Sequence, residues 1–378
     1  MKYKIPFYFL LCAALFACKP APLAESPPTN IFIPLGSYHV GLNPIFIIAA
    51  DIDGDGITDL VTANGGSNNI SILGGVGDGT FKEHKMVPVG KRPRAIAVAD
   101  FNGDRIPDFA VINNESDDMT ILLGRKDGTY KDGPTVSLDR SPLYVKSGNF
   151  GLGGNADLAV LTRFDKLLIY HSKGDGSFIL ARTIQVDDTP TAFQMADLNG
   201  DGNVDIILVN NGGMKNGLQV LLGDGKGNFK PEFRYQAKNF RPINLDLGDF
   251  NGDGKTDLVT VDAHHHNIQI FLGNGDGTFT PGEILSGDME PISVVVDDFT
   301  GDKVQDLAVV NLASSSLMIY VGNGDGTFKK NPARYQTPKG PFMLVKGDFD
   351  RDGQVDLAIT NHDNSSVSIL LGSPKKKK

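Results

Sequence analysis

Asp51, Asp53, Asp55 and Asp59 stand at positions 1, 3, 5 and 9 of one nine-residue stretch, with Gly54 and Gly56 between them. Carboxylates crowded in this way repel one another unless a hard cation sits among them, and an oxygen-only loop with glycine-permitted turns suits Ca²⁺. An EF-hand would require a bidentate Glu at position 12 and flanking helices. Position 12 here is Thr62, inside an apolar, β-branched run, so a strand follows the loop.

The same spacing returns along the chain. Loops begin at Asp51, Asp100, Asn149, Asp197, Asp249, Asp298 and Asp348, at intervals of 49, 49, 48, 52, 49 and 50 residues. Such a period marks a repeat architecture. Pro44, Pro93, Pro142, Pro190, Pro242, Pro291 and Pro341 each stand seven residues before a loop, where a strand's first residue can lack an N–H. A Gly-x-Phe/Tyr turn follows six of the loops, ending at Phe81, Tyr130, Phe178, Phe229, Phe279 and Phe328. Short apolar runs fill the intervals, so each unit is four strands: one before the acidic loop, one after it, and one on each side of the aromatic turn. The aromatic is expected to pack between neighbouring units.

Four-stranded units of this length without helices predict an all-β, seven-bladed β-propeller over residues 31–373. The chain ends after a third strand, 366–371, while 31–40 resembles a fourth strand without predecessors. The N-terminal strand is therefore expected to complete the last blade and close the ring.

Composition agrees. The 378 residues include 45 Gly, 21 Pro and no Trp, which favours short strands and tight turns over long helices. A net charge of -9 argues against a nucleic-acid partner. Both cysteines, Cys12 and Cys18, lie in the first eighteen residues, so no disulfide framework exists. Residues 1–17, a basic start and a short apolar run, read as a lipoprotein signal peptide, with Cys18 as the lipidated residue and 18–30 as a Pro-rich tether. Lys19 after the cysteine points to the outer membrane or cell surface of a bacterial envelope. Residues 374–378 form a basic tail.

These loops and Phe-containing turns resemble the FG-GAP/VCBS repeat family, which includes the seven-bladed propeller of integrin α subunits. The resemblance spans nearly all of 31–372 and implies calcium-binding loops and frequent roles in extracellular binding or adhesion. It implies ligands from positions 1, 3, 5 and 9, with the position 7 carbonyl as a fifth. Carried over, these are Asp51, Asp53, Asp55, Ile57 and Asp59; Asp100, Asn102, Asp104, Ile106 and Asp108; Asp197, Asn199, Asp201, Asn203 and Asp205. The later loops give Asp249, Asn251, Asp253, Lys255 and Asp257; Asp298, Thr300, Asp302, Val304 and Asp306; Asp348, Asp350, Asp352, Gln354 and Asp356. Thr300 should weaken the sixth site. Asn149, Gly151 and Gly153 leave Asp157 as the third loop's one carboxylate, so six calcium sites are expected and none there.

In an up-and-down blade the acidic loops and aromatic turns share one face. The opposite face carries the loops between second and third strands, irregular and polar in sequence, and the blade-to-blade connections. Recognition of a glycan or protein is expected there, with Arg92, Arg140, Arg241 and Lys339 as candidate anion contacts. His264, His265 and His266 could chelate a transition metal or simply form a polar loop. No motif of a hydrolase or redox centre appears, so the leading expectation is a calcium-stabilised binding protein. A carbohydrate-active enzyme or an envelope scaffold are the alternatives.

Overall fold

The computed structural model describes residues 31–154, 156–212, 216–236 and 239–373. Residues 1–30, read above as signal peptide, Cys18 and tether, and residues 374–378, read as a basic tail, lie outside the described residues. No helix occurs among the described residues; seven sheets stand in a ring, a seven-bladed β-propeller.

The innermost strands are Pro44–Ala50, Pro93–Ala99, Pro142–Gly148, Pro190–Ala196, Asn244–Gly248, Pro291–Asp297 and Pro341–Gly347, and each touches both neighbours around the axis. The second strands, such as Asp59–Asn64 and Asp205–Asn210, are buried at all six positions in every blade. That explains their near-continuous Leu, Val, Ile and Ala: a strand covered on both faces has no polar side to alternate with. The second blade's outer strand is divided into Tyr130–Asp132 and Val136–Ser137, separated at Gly133.

Phe32–His39 pairs antiparallel with Ser366–Gly372 and is the outer strand of the seventh blade. Closure therefore joins the two ends of the chain by a strand ladder. Phe32 is 2% exposed, wedged against Phe299 of the sixth blade at 5.6 Å and nearly perpendicular to Tyr335 at 6.2 Å.

Six of the seven prolines open the innermost strand; Pro242 instead precedes Asn244–Gly248. In all six the ladder shifts register just after the proline, which leaves the next residue, and in the seventh blade Met343 as well, without a cross-strand partner. The residue before those prolines adopts positive φ: Asn43, Arg92, Ser141, Thr189, Glu290 and Gly340, at 52° to 72°. Its carbonyl accepts an N–H at the start of the adjacent inter-strand loop, as from Gly65 to Asn43 at 3.0 Å and Asn114 to Arg92 at 3.0 Å. Left-handed residue, proline and bulge thus form one repeated corner that aims a side chain at the axis.

The loops between second and third strands correct the sequence expectation of irregularity. In the first, second, fifth, sixth and seventh blades they are the same four-residue turn, ending in a left-handed residue at Asn68, Asp117, His266, Ser315 and Ser365. Only the third and fourth blades depart from it. A buried Asn at the second strand's end supports several of these turns, as where Asn113 donates to Asp118 at 2.6 Å and Thr120 at 2.9 Å.

Phe32→Ala removes the ring-closing wedge and should cost about 3–5 kcal/mol in chemical denaturation. A loss below about 1 kcal/mol would show that closure does not depend on it.

Candidate functional site

The acidic loops are built from within. In five of them the position 1 aspartate accepts the position 4 and position 6 N–H groups, as Asp51 does from Gly54 at 2.8 Å and Gly56 at 2.9 Å. Position 5 accepts the N–H of position 7, as from Ile57 to Asp55 at 2.8 Å. These bonds hold the carboxylates facing one another. One oxygen from each of Asp51, Asp53 and Asp59 lies within 4.8 Å of the others, and the same holds for Asp348, Asp350 and Asp356.

Position 9 has a second duty that sequence reasoning missed. Asp59, Asp108, Asp205, Asp257, Asp306 and Asp356 are at most 3% exposed. One oxygen of each accepts an N–H from the loop's entry, and the other accepts the N–H of a glycine at the exit of the third strand, at 2.6–3.0 Å. The entry donor is position 2 in five loops; in the sixth it is Thr300 at position 3. Burial raises the pKa of all six, and of Asp306 and Asp356 to about 6, with the neighbouring loop carboxylates adding to the effect. A cation at the loop would restore the charged form.

The donor set is all oxygen and fits Ca²⁺: each position 9 oxygen keeps a second lone pair for it. The seventh loop adds an orphaned acceptor. Arg351 occupies position 4 there, and Asp348 Oδ1 is buried without a hydrogen-bond partner.

The third loop is organised differently. Asp157 Oδ1 meets His171 Nδ1 at 2.9 Å and the Ser172 N–H at 3.1 Å. The His171 ring lies against Gly153, where a Cβ would approach its Cε1 to 2.8 Å, so an imidazole stands beside the position that holds an aspartate in other blades.

The aromatic turns pack between blades as expected. Phe81 meets Phe349 at 5.5 Å, Phe178 meets Phe101 at 5.2 Å, Phe229 meets Phe150 at 5.9 Å and Phe328 meets Phe250 at 5.6 Å. Each partner is position 2 of an acidic loop.

On the opposite face, Arg92, Arg140 and Lys339 are exposed at the blade connections. Arg241 is tethered, its Nε donating to Asn211 at 3.2 Å and its backbone N–H to Asp262 at 2.7 Å. The three histidines do not converge. His265 Nδ1 meets Asp262 at 2.8 Å, while His266 Nδ1 accepts the Glu290 N–H at 3.0 Å, so the geometry is that of a polar turn.

Sequence reasoning also missed the axis. The bulged residues Ile45, Arg94, Leu143, Thr191, Ile292 and Phe342, with Ile243 from the fifth blade, ring a cavity of about 220 Å³ that opens between the blade connections. Deeper, Lys146 donates to Gln194 at 2.6 Å and Gln194 to Asp246 at 3.0 Å. Asp246 accepts the Val296 N–H at 2.9 Å, and Lys346 closes the belt on Val296 O and Asp297, both at 2.7 Å. A signal existed in the sequence: Arg94 is the one charged residue among the seven that follow the prolines.

Asp257→Ala should destabilise the protein by about 2 kcal/mol or more even in EGTA, because two buried N–H groups lose their acceptor. Asp253→Ala, at an exposed position, should stay within about 0.5 kcal/mol in EGTA yet weaken calcium binding in calorimetry. Equal behaviour of the two variants in EGTA would refute the separate role of position 9.

Several solved structures share this architecture. BBS1N in complex with ARL6DN aligns with a TM-score of 0.66 at 14% identity, over 91% of this chain and 97% of that one. A protein from Lactobacillus plantarum aligns with a TM-score of 0.61 at 14% identity, over 81% and 88%. A functionally unknown protein from Desulfotomaculum acetoxidans aligns with a TM-score of 0.55 at 10% identity, over 79% and 90%. No curated protein sequence matches the chain. The model of the FG-GAP-like repeat matches residues 51–111, 154–208, 197–260, 249–309 and 298–359, more than half of the chain. The chain belongs to the FG-GAP-like repeat family.

Proposed function

We propose that this propeller is a calcium-stabilised binding module of the bacterial envelope that recognises a glycan or protein through the face opposite its acidic loops. The observation that carries the reading is the division of labour between the two faces. One repeats the same carboxylate loop six times, whereas the other presents Arg92, Arg140 and Lys339 in the open and differs from blade to blade in the third and fourth units. A propeller built for binding suits the family's fold, and the aligned BBS1N is itself seen in complex with a protein, ARL6DN. Calcium would be held by positions 1, 3, 5 and 9 of six loops, and its chemistry would be charge neutralisation. The chain's residues supply the cradle, and the metal ties each loop shut. Lipidation at Cys18 would place the module on a membrane surface.

Saturating calcium at about 100 Kd is worth roughly 2.7 kcal/mol per site, so EGTA should lower the melting temperature by several degrees. An unchanged melting temperature would rule out the calcium clamp. An array of glycans and matrix proteins probed with and without EGTA should return a calcium-dependent hit. For an acidic ligand, joint replacement of Arg92 and Arg241 by Ala should abolish it; undiminished binding would remove the rim arginines from the site. Cys18→Ser should shift the protein from the membrane to the soluble envelope fraction, and continued membrane association would exclude the lipid anchor.

A further inference from the structure

Each blade connection aims one side chain into the axial cavity, bulged in every blade but the fifth, and six of the seven are Ile, Leu, Thr or Phe. The seventh is Arg94. Its guanidinium has no hydrogen bond or ion pair among the described residues. No carboxylate lines the cavity. The charges that reach it are those of Arg92 and Arg163, both of its own sign, while Tyr144 stands beside it. Burial, then the repulsion from Arg92, holds its pKa below the ordinary arginine value. A guanidinium does not give up its proton in a protein, so the unmet demand is for an anion with paired acceptors. The Tyr144 ring, edge-on to Phe46 at 5.4 Å and Phe193 at 6.1 Å, forms a rigid apolar floor next to that charge. A cavity of about 220 Å³ admits a small molecule and not a folded partner.

We propose that the axial cavity is a binding site for a small organic monocarboxylate, with its apolar body inside the ring of bulged side chains and its carboxylate on Arg94. The site lies beyond the rim reading above and does not depend on what the rim recognises. The two oxygens of a carboxylate match the guanidinium fork, and the apolar body displaces water from a cavity lined mainly by apolar side chains, with Thr191, Asn244 and Ser293 as the polar exceptions. A sulfate or phosphate would satisfy the charge but leave the apolar walls unused.

The test follows the methyl resonance of Met343, a cavity-lining residue, in carbon-proton spectra of the whole protein during titration with phenylacetate, hexanoate and the neutral phenylacetamide. Phenylacetate or hexanoate should give a saturable shift, with phenylacetamide binding weaker by about tenfold or more. Arg94→Met, which keeps an apolar stem at a position that makes no bond, should lose the carboxylate preference by a similar factor. Ile292→Trp should fill the cavity and abolish binding. No saturable shift with either acid would overturn the proposal, as would equal affinity for acid and amide or an Arg94→Met variant that binds as tightly as the parent. Melting temperatures of both variants within a few degrees of the parent's would show that the loss is of binding and not of fold.

Discussion

A buried carboxylate whose two oxygens both accept backbone N–H groups is the interaction on which the ring depends. Each position 9 aspartate opens the second strand of its blade while fixing the loop before it and the exit of the strand after it. The entry residue it fixes then reaches outward. Its side chain packs on the next blade's aromatic turn, and its carbonyl accepts a glycine N–H of that turn, as Phe101 does from Gly176 at 3.1 Å and Phe250 from Gly326 at 2.9 Å. One side chain thereby coordinates strand, loop and blade-to-blade spacing. An uncharged residue of the same size could not accept both bonds; in the third blade Asp157 keeps only the exit bond, from the Ser172 N–H, and its Oδ2 has no partner among the described residues.

That requirement creates an electrostatic conflict. A carboxylate needed for its acceptors is held in a dry site beside two or three more carboxylates, and burial raises its pKa accordingly. Calcium relieves the conflict in the six acidic loops under the proposed reading. The third blade resolves it by removing the neighbours: Gly151 and Gly153 bring no charge, and His171 gives Asp157 a partner. The same architectural part is thus retained under two different charge arrangements.

Much of the fold was legible because it depends on residues that repeat. The period of the acidic loops, the prolines and the aromatic turns fixed blade number and strand count, and the unpartnered 31–40 strand foretold closure. The finer site was not legible for physical reasons. Position 9 looks like any other loop carboxylate until its burial is seen, since spacing says nothing of depth. The inter-strand turns looked irregular because Asn68, Asp117, His266, Ser315 and Ser365 share a backbone conformation and not a residue type. The axial ring was hidden because a proline at a strand's start does not show that the residue after it leaves the ladder. Alternation alone would have sent Arg94 to a sheet face. The metal-loop residues and the axis therefore stand at opposite ends of legibility, one written in repeated chemistry and the other in backbone geometry.

The bulges have a consequence for how such a molecule can diversify. A bulged residue forms no cross-strand pair, so its identity is not constrained by the neighbour opposite, and the corner that orients it is made by the residues before it. Six such positions, with Ile243 of the fifth blade, converge on one cavity from seven blades. A bulged residue that bonds nothing in the sheet, such as Arg94, can be exchanged with little effect behind it, whereas Thr191 donates to Val209 O and Pro242 O and is tied to its surroundings. The ring behaves as a combination lock on a fixed body: the scaffold's stability and the mouth's chemistry are stored largely in different residues and can change at different rates.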